Sequence, residues 1–356
     1  MIVRTAIRLA VVAVAATAAL VPLPATAVER WYSTGLYPLL QARLTAVTNQ
    51  VPIALLDLAL LAVLGAGVWR FARLRRRAGL LRATGSAAVG LMTAGAIVYL
   101  TFLAVWGLNY RRVPLDRKVE FDASRVTPAA VRRLARASVA RVNALHPAAH
   151  RAVPGDGGLD AAFVAAQRRL GGGAATVTGV PKRSALELYF RWAAIDGMTA
   201  PFFLEVILNP DVLPIERPYV LAHEWAHLAG YAHEDEANLV AWLTCLEGDA
   251  LAQYSGWMAI YGLAAAAVPR DERVAIAAAL EAGPRRDLEA LRARYLRSAP
   301  AVRRVARETY DAYLRANRVE EGAASYGEVI RLILGAGEQH GWAPRAIANG
   351  SPAVHR

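Results

Sequence analysis

His223-Glu224-Trp225-Ala226-His227 places two imidazoles four residues apart, with a carboxylate beside the first. On a helix, positions i and i+4 share a face, so both rings reach one divalent cation while Glu224 stands over the cation's remaining position. A carboxylate there takes a proton from water and passes it on, which is general-base chemistry. Two imidazoles are not enough, because a catalytic zinc ordinarily holds three protein ligands and keeps a fourth position for water.

The pattern is the HExxH signature of zinc metallopeptidases, which makes Zn²⁺ the expected cofactor, His223 and His227 its ligands and Glu224 the catalytic base. The third ligand has two competing answers. His223 to His233 reads HEWAHLAGYAH, which fits HExxHxxGxxH, with Gly230 turning His233 back to the metal. That arrangement also needs a methionine turn, and Met258, the only downstream methionine, falls in a stretch that reads as helix. The other answer is Glu234-Asp235-Glu236-Ala237-Asn238, which resembles the ExxAD element of glutamate-ligand zincins with Asn238 in place of the aspartate. Glu234, Ala237 and Asn238 share one helical face, so a ligand, a small residue and a polar group that can hold a histidine ring point together. Glu234 is the preferred third ligand, with His233 and Glu236 as alternatives and Asn238 behind the ligands. Tyr254 or Tyr261 is a candidate for stabilising an oxyanion, and packing is the plainer role for both.

These residues need elements to hold them. Pro214 to Pro218 turns the chain into a helix from about Tyr219 to Ala229, capped by Gly230. Upstream, Phe202 to Leu208 reads as a strand closed by Asn209-Pro210; its edge can take a peptide backbone, or it is only core. Downstream, a helix is expected from Glu234 to about Leu251 and a buried one over 256–268. Thr127-Pro128 opens a helix to about Leu145, and another runs from Leu159 to Leu170 before Gly171-Gly172-Gly173. Breaks fall at Gly283-Pro284 and Pro300, and Ser325 with Glu328 forms a capping box. His340 reads as exposed. The expected fold is a mainly α, α+β zincin-like domain over 113–356, following an α-helical membrane anchor over 1–112.

Three apolar runs make the anchor, at about 9–28, 51–69 and 86–108, each near the roughly 20 residues that cross a bilayer. The first also fits a cleaved signal peptide ending near Pro24-Ala25-Thr26-Ala27. Arg70, Arg73, Arg75, Arg76, Arg77 and Arg82 fill the loop between the last two runs, which puts that loop in the cytoplasm and the zinc-binding part outside, periplasmic or extracellular. Arg111, Arg112, Arg117 and Lys118 crowd the outer end of the third run and oppose this orientation. Glu29 to Gln50 is expected as a short outer loop at the membrane surface. Asp57, two turns from the outer end of its run, is expected to be hydrated from the interface.

A formal net charge of +12 over 356 residues comes from arginines on helical faces and in the membrane loop, without the basic and aromatic platform of a nucleic-acid binder. With a single cysteine, Cys245, no intrachain disulfide is possible, and its apolar neighbours suggest a buried thiol. Arg30-Trp31-Tyr32-Ser33-Thr34-Gly35-Leu36-Tyr37-Pro38, Trp106-Gly107-Leu108-Asn109-Tyr110, His223 through Asn238, Tyr254-Ser255-Gly256 and Ser325-Tyr326-Gly327 together resemble an uncharacterised family of bacterial membrane proteins that carry predicted membrane helices ahead of an HExxH domain. The resemblance implies a membrane-anchored metallopeptidase and names no substrate. The reading is therefore a multi-pass plasma-membrane zinc peptidase acting on peptides or proteins of the cell envelope. The alternative is a non-catalytic scaffold or binding protein with a structural zinc or none. Oligomeric state is not legible.

Overall fold

The computed structural model describes residues 2–153, 155–172, 176–319, 328–337 and 346. The chain begins with α1 (Ile2–Leu20), then a short α2 (Ala25–Ala27), a π-helical stretch Val28–Leu36 and α3 (Tyr37–Thr48). The break is caused by Pro22 and Pro24, which lack the N–H a helix needs. The apolar run expected to span over 9–28 is thus interrupted: α1 and the helical segment from Ala25 to Thr48 meet at 109°. The segment expected as an outer loop is helical and enters the core. Tyr37 is 1% exposed, Thr45 Oγ1 donates to Leu204 O at 2.8 Å, and Gln41 Nε2 donates to Val177 O at 2.7 Å. The tyrosines and β-branched residues of this stretch give a weak helical signal, and only contacts with chain far downstream make it core.

The helical stretch α4 (Leu55–Val105) is 51 residues long and would reach roughly 77 Å as a rod. Its two ends meet the same small region instead. Leu55 and Leu56 donate their N–H groups to Glu205, while Phe102 packs 6.3 Å from the ring of Phe202. The chain therefore folds back as a hairpin whose arms, Leu55–Arg76 and Ala87–Val105, are each long and apolar enough to cross a membrane. Their large side chains point outward, Val63 at 72% and Leu91 at 76% exposure, which suits lipid rather than water. A third crossing exists only if α1 and the bent segment after it count as one span.

Beyond the hairpin the chain is largely helical: α5 (Pro128–Ala149), α6 (Leu159–Arg169), α7 (Glu187–Ala193), α8 (Arg217–Leu228), α9 (Glu234–Glu247), α10 (Ala250–Ala266), α11 (Arg270–Ala278), α12 (Ala282–Leu296), α13 (Pro300–Ala316) and α14 (Val329–Gly337). Thr127 caps α5 as its sequence suggests, accepting from Ala130 N at 3.2 Å. The helix expected to run to Leu251 stops at Glu247, because Asp249 starts α10 by accepting from Ala252 N at 2.8 Å. Met258 lies within α10, not in a turn. Cys245 is buried. Ser325 and His340 lie outside the described residues.

Between α7 and α8 sits the sheet, β1 (Gly197–Ala200) antiparallel to β2 (Glu205–Leu208). The expected strand over 202–208 is shorter because Pro201 to Leu204 forms the turn, with Leu204 at φ 49°. Lys182 bridges β2 on its other side, leaving β1 as the edge. Glu205 joins sheet to hairpin: its carboxylate takes Lys182 Nζ at 2.8 Å and the two N–H groups that open α4. Asp57 plays a similar part, accepting from Ser184 Oγ and Ala185 N, both at 2.6 Å. The Lys182–Glu205 pair is almost wholly buried, with side-chain exposures of 2% and 0%. Glu205→Ala should cost about 3–5 kcal/mol in unfolding free energy, since it strands a buried ammonium and two helix-terminal N–H groups. The combined change Lys182→Met with Glu205→Leu should cost less than the single one in the same detergent-solubilised unfolding experiment.

Candidate metal centre

α8 ends in a Schellman turn: Tyr231 N donates to Ala226 O at 3.1 Å, Gly230 N to His227 O at 3.0 Å, and Gly230 has φ 86°. A side chain at 230 would be strained by that φ, and its Cβ would also lie 3.1 Å from Asn109 Oδ1. The reversal lays α9 back along α8 and brings Glu234, the first residue of α9, over the histidines.

His223 Nε2 and His227 Nε2 lie 3.1 Å apart, with Glu234 Oε2 3.3 Å from the first and Glu234 Oε1 3.6 Å from the second. Zinc bonds of 2.0–2.1 Å in tetrahedral geometry imply ligand–ligand edges of about 3.3 Å, and these separations, with one Glu234 oxygen toward each histidine, are close to that. The rings stand at 87° to each other, so their nitrogens converge without the rings stacking. His227 Nδ1 is 2.8 Å from Tyr231 O; as an N–H it donates there, leaving the Nε2 lone pair for a cation. Two imidazole nitrogens and a carboxylate oxygen suit a borderline ion such as Zn²⁺. One Glu234 oxygen, Oε2, is buried without a hydrogen-bond donor, as a metal ligand atom would be.

Around the triad the electrostatics favour the ligand forms of Glu234 and His227, but not that of His223. Burial pushes Glu234 up, but the imidazoles of His227 and His223 and the Tyr310 hydroxyl, which donates to its Oε1, more than offset this and bring it to about 2. Burial drives His227 down to about 4, against the attraction of Glu234. His223 is also pressed down by burial, yet its hydrogen bond to Glu234 prevails and raises it. Glu224 is raised to about 7 by burial, opposed by His223 and by a hydrogen bond from Thr199.

Glu224 is 4% exposed and held by β1. Thr199 Oγ1 lies 2.9 Å from Glu224 Oε2, and a Cβ on Gly197 would come within 2.7 Å of Glu224 Oε1. The absence of a side chain at 197 is what lets the carboxylate lie there. At the foot of β1 a cavity of ≈ 170 Å³ is lined by Asp196, Asp211, Arg191 and Arg294, with Arg294 bridging Asp196 and Glu216 at 2.8 and 2.7 Å.

The other candidates lie elsewhere. His233 precedes α9 with its Nε2 3.3 Å from Tyr110 O. Glu236 accepts from Leu115 N at 2.6 Å and faces Arg112. Asn238 accepts from Tyr219 Oη at 2.9 Å and lies close enough to His223 to favour its protonated form. Tyr254 bonds Asp287, and Tyr261 packs in the core, so the phenol beside the triad is Tyr310. Tyr310, Thr199 and Gly197 lie 24 or more residues from the motif and no spacing announces them.

The stretches far upstream also converge on α8. Trp106 Nε1 donates to His227 O at 2.9 Å, Tyr37 Oη to Leu228 O at 2.7 Å, and Arg112 Nη1 to Gly230 O at 2.9 Å. Those segments and the metal helix fall within one continuous family match over residues 32–334. The chain belongs to this family, DUF3810, described as a protein of unknown function. Searches of curated proteins and of solved structures give no match. For this DUF3810 chain the geometry itself is thus the source of functional argument.

Metal and proton compete for His223, so zinc affinity should rise with pH through the range in which that ring deprotonates, with up to about one proton released per zinc bound. Calorimetry of zinc binding in buffers of different ionisation enthalpy measures this directly. Glu234→Ala should lose the zinc held at this triad and His233→Ala should keep it; the opposite pattern would move the third ligand to His233.

Proposed function

We propose that this protein is a membrane-anchored, zinc-dependent peptidase in which His223, His227 and Glu234 hold the metal and Glu224 is the general base. The observation that carries the reading is the conjunction of a triad with separations close to those of zinc ligands and a buried carboxylate held next to it. When bound, zinc would polarise the scissile carbonyl and acidify the attacking water. Glu224 takes the proton of that water at Oε1, since Thr199 occupies Oε2, and delivers it to the leaving amine. Tyr310 is placed to hydrogen-bond the carbonyl oxygen as it gains charge.

A peptide substrate is supported by the edge of β1. Asn209 N donates to Asp196 O, and in this antiparallel register Met198 and Ala200 then pair with β2. Gly197 and Thr199 turn their N–H and C=O groups outward, beside Glu224. An extended backbone can add there by main-chain hydrogen bonds, which recognises peptide without demanding one side chain. A structural zinc tends to use four protein ligands, so His233 joining Glu234 at the metal would favour the scaffold alternative. The contact of His233 with Tyr110 O speaks for the enzyme.

Orientation follows from the same parts. The arginines of 70–82 belong to the end of the hairpin away from the metal centre, while three of the four opposing charges have structural partners. Arg112 and Lys118 pair with Glu29 at 3.0 and 3.1 Å, and Arg111 donates to Ala18 O at 2.8 Å. The cytoplasmic side is thus assigned to the hairpin tip and the outer side to the metal centre. An export-dependent reporter at the C-terminus should be active and one inserted near Arg76 silent. The reverse pattern would put the metal centre in the cytoplasm.

Activity is tested with the full-length protein in detergent and a broad peptide library. Glu224→Gln should retain one zinc at this triad and lower cleavage by at least about 10²-fold, the usual worth of positioned proton transfer. A zinc-loaded wild-type protein that cleaves nothing would restore the scaffold reading, and loss of zinc from the variant would show that Glu224 is a ligand.

A further inference from the structure

Four of the seven histidines form two pairs at i,i+4, and the second pair lies outside the site described above. His146 is in the last turn of α5 and His150 closes that helix. Asp287, on α12, turns its carboxylate between them: Oδ2 is 2.8 Å from His150 Nε2 and 3.6 Å from His146 Nε2. Tyr254 Oη, from α10, donates to the same oxygen at 2.5 Å. Two helices, α5 and α10, therefore deliver polar groups to one carboxylate oxygen on a third, α12.

We propose that His146, His150 and Asp287 form a second metal-ion site, occupied by zinc or a similar borderline divalent cation, that fastens the end of α5 to α12. Charge is the first argument. Asp287 is 9% exposed, and among the described residues its ion-pair partners are these two imidazoles. Nearby Glu281 and Arg286 act on His146 in opposite senses. The two rings lie 4.2 Å apart, where a pair of imidazolium ions would repel, so full protonation is a poor way to balance the carboxylate. A divalent cation takes lone pairs from both rings and the charge from Asp287 at once.

Construction is the second argument. A Cβ on Gly283 would fall 2.4 Å from His146 Cε1 and 2.6 Å from its Nε2, so glycine at the start of α12 makes the space in which that ring lies. His150 has 42% of its side chain exposed, which gives an ion a path from solvent and leaves room for water as a further ligand. Two nitrogens with one carboxylate select zinc, copper or nickel over magnesium or calcium. The site also bears on the first one mechanically. Ser255, next to Tyr254, takes the N–H of Tyr219 in the first turn of α8 at 3.1 Å.

The probe is zinc alone, titrated into full-length protein in detergent after chelation. His223→Ala with His227→Ala disables the first site and should leave one equivalent bound, with a melting temperature that rises as zinc is added. Adding His150→Ala to that variant should weaken the remaining equivalent at least about tenfold and abolish the rise. Asp287→Asn should do the same, and the exposed His150 substitution keeps the test valid if the buried one impairs folding. The proposal is overturned if the His223/His227 variant binds no zinc, or if His150→Ala leaves its binding unchanged. In either case the cluster is a hydrogen-bonded His150–Asp287–Tyr254 set, and the reading of the first site stands or falls separately.

Discussion

The reversal at Gly230 is the constraint on which the metal centre depends. HExxH on a helix supplies two ligands by itself, but a third must arrive from chain that has turned around within a few residues. Gly230 permits that turn with φ 86°, and the turn leaves the last carbonyls of α8 needing donors. The Trp106 indole serves His227 O and the Tyr37 hydroxyl serves Leu228 O, while the Arg112 guanidinium holds the carbonyl of Gly230 itself. Trp106 follows directly on the second arm of the hairpin, and Tyr37 opens the helix before its first arm. The apolar hairpin and α8 are thus parts of one hydrogen-bonded assembly rather than a tether and a passenger.

Buried carboxylates mark the other joints, and each is matched in a different way. Glu205 is offset by Lys182 and by the N-terminus of the first hairpin arm. Glu29 is offset by Arg112 and Lys118. Among the described residues, the side chains paired with Glu234 are imidazoles and a phenol, which leaves its charge available to a cation. Glu224 has no cationic side chain other than a protonatable His223, and burial holds it at about 7, within the range where a carboxyl can both take and give a proton. The two that serve as joints have firm positive partners. The two at the candidate metal centre do not, and that contrast is what sets them apart from the carboxylates that serve as joints.

Much of this was legible from spacing. The histidine pair and its glutamate, the two arms of the hairpin with arginines between them, the cap at Thr127 and the glycine stop at 230 all follow from local rules of helix geometry, capping and bilayer length. The span expected at 9–28 failed because summed hydrophobicity ignores Pro22 and Pro24. The helix expected to reach Leu251 failed at Asp249, whose capping strength outweighs the apolar periodicity that continues past it.

By itself the sequence determined the chemical types and their local phase: which histidines share a face, which acidic residues follow the turn, and where the chain is apolar enough for lipid. Only the tertiary structure separates Glu234, His233 and Glu236, setting Glu234 with the histidine pair, His233 near Tyr110 O and Glu236 on Leu115 N, because these lie within three residues of one another and their separation depends on how α9 packs against α8. It also brought in Thr199, Gly197 and Tyr310, made the segment from Val28 to Thr48 core instead of surface, and set Asp287 between His146 and His150. The physical reason is range: helix and span rules act over a few residues, whereas each of these placements is a contact between segments that only packing brings together.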